Sequence, residues 1–149
     1  MRTNRSAPAV TVVPELVYPD VPAAVEWLAG AFGFVERIRI GEDHRSQMRV
    51  GEDGAVIIAD TTGDRTAPTP GIETSAVKVR VEDVDALVER ARAYGARILA
   101  EPREYPYGER ECGIEDLAGH RWHFTQSVRD VDPAEWGGTL LDRPEGGGI

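Results

Sequence analysis

Three polar side chains alternate with two aromatic ones near the end of the chain, and their types are suited to chemistry. Arg121, His123 and Thr125 are separated by Trp122 and Phe124. Because successive side chains of a strand point to opposite faces, this run predicts a strand with one apolar and one polar face. A histidine can ligate a metal, exchange a proton near neutral pH or form a wall hydrogen bond. An arginine can hold an anion.

Two other predicted strands place charged residues with the same alternation. Glu15 lies on one face of the first strand, and Lys78 and Arg80 share one face of a later strand. If these faces point inward, the protein has a local cluster that is mainly basic: Glu15, Lys78, Arg80, Arg121 and His123. Such a cluster favours a carboxylate, a phosphate or an acidic phenol as ligand. The alternative is an open sheet face whose charged residues pair with one another in solvent.

Four residues have competing interpretations. Tyr107 and Tyr105 flank Pro106 at the mouth of a predicted hairpin, where they either stack on a planar ligand or cover the end of the hairpin. His123 is either a ligand-binding group or a hydrogen-bonded wall residue. Cys112 has no histidine near it in the sequence, so we interpret it as a packing residue rather than a nucleophile.

Composition limits the function classes. The 149 residues carry 17 basic and 26 acidic side chains, a net charge of −9, which argues against binding to nucleic acid. A single cysteine excludes an intrachain disulfide and a thiolate metal cluster. The apolar runs are too short to span a membrane, and no signal-peptide pattern opens the chain. These features predict a soluble, cytoplasmic protein that has no membrane partner.

The elements that must position these residues occur twice. Asp20 and Asp83 each begin a predicted helix, at an offset of 83 − 20 = 63 positions. At the same offset, Val-Glu recurs at 25 and 88, and Glu-Asp at 52 and 115. Each half reads strand, helix and three strands, and one half alone has too few layers to bury its sheet. The prediction is an α+β fold of two paired βαβββ modules, which form a curved eight-stranded mixed sheet with helices on the convex side.

The module boundaries follow from turn-forming stretches. We predict a disordered N-terminus at 1–8, a first module at 9–60, a linker at 61–72, a second module at 73–126 and a tail at 127–149. Within the tail, Asp132 predicts a capped helical turn that ends at Trp136. The end of the tail, at 144–149, is predicted to be disordered.

Three stretches resemble one protein family. They read YPDVPAAVEWLAGAFGF at 18–34, VEDVDALVERARAYGARI at 81–98 and YGERECGIEDLAGHRW at 107–122. The chain resembles the vicinal oxygen chelate superfamily, in its bleomycin-resistance-like or PhnB-like branch. The last stretch is similar to that branch's WG-x-R…DP-x-GH-x-W signature, with Tyr107 and Leu117 in place of Trp and Pro. Arg110 takes the Arg position of the signature, which implies a binding or structural role.

The resemblance also implies where a metal would bind. In metal-dependent members four inward-facing strand positions supply His or Glu, and here they fall on Val13, Ile58, Ala76 and His123. Because three of the four have no donor atom, we expect no metal and no other cofactor. The leading hypothesis is a metal-independent small-molecule-binding protein that sequesters an antibiotic or an anionic or aromatic metabolite.

Two alternatives stay open. One is a lyase, isomerase or dioxygenase with a divalent metal at a non-standard site that uses Glu15 and His123. The other is an interaction module whose cup is filled by its own side chains. The resemblance further implies a homodimer with binding clefts at or near the interface. The predicted ligand-binding residues are His123, Arg121, Glu15, Arg80, Lys78, Tyr107 and Arg110.

Overall fold

The computed structural model describes residues 2–142, which contain the strand–helix–three-strand order twice. The first module consists of β1 (Glu15–Val17), α1 (Val21–Phe32), β2 (Val35–Ile40), β3 (Arg45–Val50) and β4 (Gly54–Ala59). The second consists of β5 (Ala76–Arg80), α2 (Val84–Ala93), β6 (Arg97–Glu104), β7 (Glu109–Glu115) and β8 (Arg121–Ser127). A 3-10 helix follows at Pro133–Trp136.

Both helices begin in the same way, which confirms the repeat. Asp20 and Asp83 have extended backbones, and each side chain accepts a hydrogen bond of 3.0 Å from the backbone N–H three residues on. Helix α1 ends at Gly33, whose φ of 77° is a left-handed conformation that suits glycine. Both helices therefore begin where the sequence predicted.

The strands form two four-stranded mixed sheets, in the orders β1-β4-β3-β2 and β5-β8-β7-β6. In each sheet the first pair is parallel and the other pairs are antiparallel. This topology confirms the α+β fold of paired modules. Within residues 2–142, however, no ladder joins β1 to β5, so the eight strands make two sheets instead of one. A groove of about 1090 Å³ runs along the free edge of β5 and reaches Pro14.

The two modules share one apolar core between the helices and the sheets. The ring of Phe32, at the end of α1, lies 5.5 Å from that of Trp122 and 4.7 Å from that of Phe124, centroid to centroid. Trp122 and Phe124 are fully buried, as the alternation along β8 predicted. Each buried aliphatic or aromatic side chain of this core contributes about 1.5–3 kcal/mol.

One predicted orientation is wrong. Ile58 was expected to point inward as the first-module counterpart of His123, but it is fully buried in the core with Leu16 against it. The strand register shows that the counterpart of His123 is Ile57. His123 pairs with Lys78, and Glu15, which lies 63 residues before Lys78 and is its equivalent in the repeat, pairs with Ile57. The expectation for Ile58 came from an alignment of Gly54 with Gly119 in the two hairpin turns. That alignment is one residue off, because the β7–β8 turn is longer. Isoleucine still has no donor atom.

The chain ends differ from their predictions in part. The β-branched run AVTVVPELVY at 9–18 predicts a strand, but β1 covers only Glu15–Val17, since Pro14 has no N–H to donate to a ladder. Asp132 caps the 3-10 helix as predicted, accepting a hydrogen bond of 3.0 Å from the Ala134 N–H. The stretch at 144–149 lies outside the described residues. Neither helix in residues 2–142 is long and apolar enough to cross a membrane.

Candidate functional site

The face of the second sheet that points away from the helices carries most of the predicted site residues. We call it the open face of the second sheet. Its residues lie in cross-strand rows given by the register: Ala76, Arg121, Glu115 and Arg97; Lys78, His123, Gly113 and Ala100; Arg80, Thr125, Glu111 and Arg103. Strands β5 and β8 are parallel neighbours, so the polar alternation of both reaches the same face. The structure therefore brings together Lys78, Arg80, Arg121 and His123, as predicted.

Strand β7 adds carboxylates that the sequence analysis did not assign to the site. Lys78 Nζ lies 3.0 Å from Glu111 Oε2, and an Arg80 nitrogen lies 3.6 Å from Glu109 Oε1. Arg121 Nε lies 3.1 Å from Glu115 Oε2. Lys78, Arg80 and Arg121 thus each have an anion beside them, and the positive charge expected from these three residues is offset. The alternation Glu109-x-Glu111 in the sequence was the available indication.

These glutamates are held in the ionised form by their neighbours. Burial raises the pKa of Glu111, but hydrogen bonds from Tyr107 and Lys78 outweigh it and lower the pKa below its usual value. For Glu115 the backbone N–H of Gly71 lowers the pKa most, and Arg121 adds to the effect. The network that spans the face is therefore charged at neutral pH.

His123 lies beside the smallest residues of this face. The residue opposite it on β7 is Gly113, and a Cβ atom built there would lie 3.9 Å from the His123 ring and 3.7 Å from the Ala100 Cβ. Because Gly113 and Ala100 have little or no side chain, the sheet is bare beside the imidazole. His123 Nε2 lies 3.2 Å from Glu73 Oε1, and 39% of the His123 side chain is exposed. The histidine can therefore meet a ligand.

An aromatic group borders the open face at the β6–β7 turn. Tyr107 donates a hydrogen bond of 2.7 Å from its hydroxyl to Glu111. Burial, and then this hydrogen bond, raise the pKa of Tyr107 to about 12. Its ring stacks on that of Tyr105 at 5.4 Å, and Trp136 meets it edge-on at 5.4 Å. Trp136 is 46% exposed, so the C-terminal segment presents an indole next to the site. This contact links the tail to the candidate site.

Two predicted site residues lie elsewhere. Arg110 is on the helix-facing side of β7, where its guanidinium forms two hydrogen bonds of 2.8 and 2.9 Å with Asp85 in the first turn of α2. Glu15 lies on the face of the first sheet that points away from the helices, which we call the open face of the first sheet, and its carboxylate is 3.6 Å from an Arg45 nitrogen. Neither residue contacts His123 in the described part of the chain. Cys112 is buried in the core, where burial raises the pKa of its thiol to about 11.

The donor set does not fit a metal of the kind that the fold family uses. Val13, Ile57 and Ala76 stand at three of the four ligand positions, with His123 at the fourth. Across residues 2–142, no three His, Cys, Asp or Glu side chains come close enough to hold an ion. A catalytic site usually needs about three protein ligands. No chemical step through a metal follows from this arrangement.

Comparisons with known proteins agree with the fold. The sequence profile of the glyoxalase/bleomycin resistance protein/dioxygenase superfamily matches residues 10–124. The chain is similar to the crystal structure of TioX from Micromonospora sp. ML1, with 36% identity, a TM-score of 0.66, and coverage of 78% of this chain and 97% of TioX. A glyoxalase/bleomycin resistance protein/dioxygenase from Nocardioides is 22% identical, with a TM-score of 0.66 and 90% of each chain covered.

A similar curated sequence has no function in its name. The uncharacterized protein Rv0887c of Mycobacterium tuberculosis is 28% identical over 142 residues, which is 89% of this chain and 84% of that protein. The extent of the profile match, together with the likeness to TioX, decides the family. This chain belongs to the glyoxalase/bleomycin resistance protein/dioxygenase superfamily.

Proposed function

We propose that the protein is a metal-independent binding protein for a small organic molecule, which it sequesters without changing bonds. The observation that carries this proposal is the partly exposed His123 beside the small residues Gly113 and Ala100, with the ion pairs of Lys78, Arg80 and Arg121 on the same face. Such a surface offers a few fixed polar groups next to a bare part of the sheet, and fixed polar groups of this kind give specificity to small-molecule recognition. The donor set of residues 2–142, which does not fit a metal, favours binding over metal-assisted catalysis.

The charge balance of the open face refines the expected ligand. Lys78, Arg80 and Arg121 each have a glutamate partner, so a simple anion would have to compete with a carboxylate that is already in place. A ligand with a planar ring and several neutral or zwitterionic polar groups meets no such competition. Tyr107 and Trp136 offer aromatic surface at the rim of the face. An antibiotic or aromatic metabolite of this description is the ligand class that we propose.

We further propose that the protein acts as a homodimer in the cytoplasm. The edge of β5 is unpaired in the described residues, and Val12 beside the groove is 78% exposed. A second copy that covers this edge would satisfy its backbone groups and bury the valine. Light scattering after gel filtration tests this proposal, and a monomer at micromolar concentration would contradict it.

A thermal-shift screen tests the binding function. Wild-type protein, His123→Ala and the control His44→Ala are heated with glycopeptide antibiotics, aromatic amides and aromatic carboxylates. We expect a compound that raises the melting temperature of the wild type and of His44→Ala, but much less that of His123→Ala. His44 is a suitable control because it is an exposed histidine that pairs with Asp60, away from the open face. A shift that is equal in all three proteins would place the ligand elsewhere.

Metal analysis tests the enzyme alternative separately. The protein is purified without chelators, and its content of nickel, zinc, iron and manganese is measured. We expect less than about a tenth of an equivalent of each. A stoichiometric metal that is lost in His123→Ala would overturn the metal-independent proposal and favour a lyase, isomerase or dioxygenase.

A further inference from the structure

We propose that residues 4–7 are a displaceable internal occupant of a second binding site, which recognises two consecutive amide carbonyls on the first sheet. The site consists of Arg37 and Gln47, and neither residue belongs to the face that carries His123. This inference rests on the proposed function, because it names a further ligand feature of the same protein. A peptide or another amide-rich molecule is the chemical class that this site would take.

In the structure, residues 4–7 occupy this site in the way that a ligand would. Gln47 Nε2 donates a hydrogen bond of 2.9 Å to the carbonyl oxygen of Ser6, and Arg37 donates one from its guanidinium to the carbonyl oxygen of Arg5. Arg37 also donates a hydrogen bond of 2.7 Å to Gln47 Oε1, which fixes the orientation of the Gln47 side-chain amide. Two side chains therefore read two successive peptide carbonyls.

The sheet is built to present these two donors. Gln47 pairs with Ile57 and Ile38 across the ladder, so it lies on the open face of the first sheet, opposite to the buried Met48. The β2–β3 register shifts between Glu36 and Ile38, which leaves Arg37 out of the ladder at a bulge. A bulge redirects a side chain, and here the redirected guanidinium reaches over to the glutamine.

Apart from Arg37 and Gln47, the rest of the protein holds residues 4–7 only weakly. Its turn is closed within itself, by hydrogen bonds of 3.0 and 3.2 Å from the Ser6 and Ala7 N–H groups to Asn4. Residues 2–6 are exposed, and Ala7 and Pro8 are half-buried. Gln47, by contrast, is 8% exposed under the segment. Because little apolar area fixes the segment, it can open locally, and an incoming amide can replace its carbonyls.

Binding of the segment in trans is a direct test. A variant that lacks residues 2–8 is labelled with 15N and titrated with the acetylated, amidated peptide of residues 2–8. We expect saturable shifts of the Gln47 side-chain amide and the Arg37 Nε–H, with a Kd on the order of 0.1 mM, because a segment that fills its site at the roughly millimolar effective concentration of a short tether needs a Kd about tenfold below that concentration. The full-length protein should bind the peptide at least about tenfold more weakly, because its site is filled.

Matched substitutions identify the donors. In the shortened variant, Gln47→Ala should weaken peptide binding about five- to tenfold, the effect of one lost hydrogen bond. Arg49→Ala, an exposed neighbour on the same face, should leave binding unchanged. If the peptide binds full-length and shortened proteins alike, or binds neither, the internal occupant is excluded.

A second measurement in the full-length protein covers the case in which the shortened variant does not fold. Gln47→Ala should raise the picosecond–nanosecond mobility of the Ser6 amide, read from its heteronuclear NOE, whereas Arg49→Ala should not. An unchanged Ser6 amide would overturn the proposal. Failure here leaves His123-dependent ligand binding intact, so it is distinguishable from failure of the proposed function.

Discussion

The Tyr18 hydroxyl donates a hydrogen bond of 2.5 Å to Asp116 Oδ2, and this contact joins residues 98 positions apart in the two modules. Trp122 Nε1 donates to the same oxygen at 3.0 Å. The other oxygen, Oδ1, accepts the backbone N–H groups of Ala118 and His120. Burial and then the nearby Asp116 charge raise the pKa of Tyr18, so its hydroxyl remains a donor. The Asp-x-x-Gly-His-x-Trp stretch therefore fixes the two modules to each other.

Tyr18→Phe tests this role. The substitution removes one donor from a buried carboxylate and should lower the free energy of unfolding by about 1–3 kcal/mol, measured with urea. Tyr94→Phe is the control, since Tyr94 is 43% exposed. A change below about 0.5 kcal/mol in Tyr18→Phe would mean that the contact does not stabilise the pairing of the modules.

Arg121→Ala and His123→Ala should separate structure from binding. Arg121 is 17% exposed at its side chain and faces Glu115, which is 5% exposed, so its loss leaves a buried carboxylate with fewer partners. We expect Arg121→Ala to lower the free energy of unfolding by about 1–3 kcal/mol. His123→Ala, on a more exposed side chain, should change it by no more than about 0.5 kcal/mol. Urea unfolding of both variants measures the difference. An equal loss of unfolding free energy in the two variants would mean that His123 is a structural, hydrogen-bonded wall residue and not a ligand-binding group.

Much of the fold could be predicted because local chemistry and the global repeat agree. Asp20 and Asp83 are good N-caps wherever they occur, and the alternation of Trp122 and Phe124 identifies a buried face without knowledge of the partner strand. Single-residue register across the repeat could not be predicted. Ile57 and Ile58 are both isoleucine, so hydrophobicity does not tell which of them faces the core.

The site residues on β5 and β8 could be predicted from the sequence, but the net charge of the face that they share could not. Lys78, Arg80 and Arg121 were expected to form a basic cluster, because the glutamates of the predicted hairpin were not assigned to the same face. Which strands are neighbours depends on sheet order, and the glutamates that offset the cluster come from the strand on the far side of β8. The contact between the N-terminal segment and Gln47 spans 41 positions, and no periodic pattern in the sequence indicates it.

Acid should weaken the folded state through the glutamates of the open face. The folded-state pKa values of Glu109, Glu111 and Glu115 lie below their usual values. The unfolded chain, with glutamate pKa values near ~4.3, thus binds more protons than the folded chain. This stabilisation is present above about pH 4.3 and is lost as pH falls through the lower, folded-state values.

Urea unfolding between pH 7 and pH 3 measures this loss. Glu115→Gln should show a smaller fall in the free energy of unfolding than the wild type below about pH 4.3, because its side chain no longer titrates. Glu52→Gln, at the exposed counterpart in the first module, should follow the wild type. Identical curves for wild type and Glu115→Gln would show that Glu115 does not contribute to the acid sensitivity.

Gly108→Ala should release the C-terminal segment from the site. Gly108 has a φ of 86°, and a Cβ atom there would lie 2.4 Å from the Arg129 carbonyl oxygen, a backbone atom that cannot move without the tail. The Val128 N–H, which now donates to the Gly108 carbonyl at 2.9 Å, would be displaced with it. Trp136 should then leave Tyr107, and its fluorescence should shift to longer wavelength and be quenched more by acrylamide.

Gly95→Ala is the matched control for this substitution. Gly95 has a φ of 89° and nothing within 4 Å of a built Cβ, so alanine there brings the same backbone strain, about 1 kcal/mol, without the collision. The difference in fluorescence between each variant and its Trp136→Phe form isolates Trp136 from the other tryptophans. If acrylamide quenches the Trp136 fluorescence of both glycine variants equally, the close approach of the Arg129 carbonyl to Gly108 does not hold the tail in place. If Gly108→Ala alone exposes the indole and also weakens binding of a ligand from the thermal-shift screen, Trp136 belongs to the binding site.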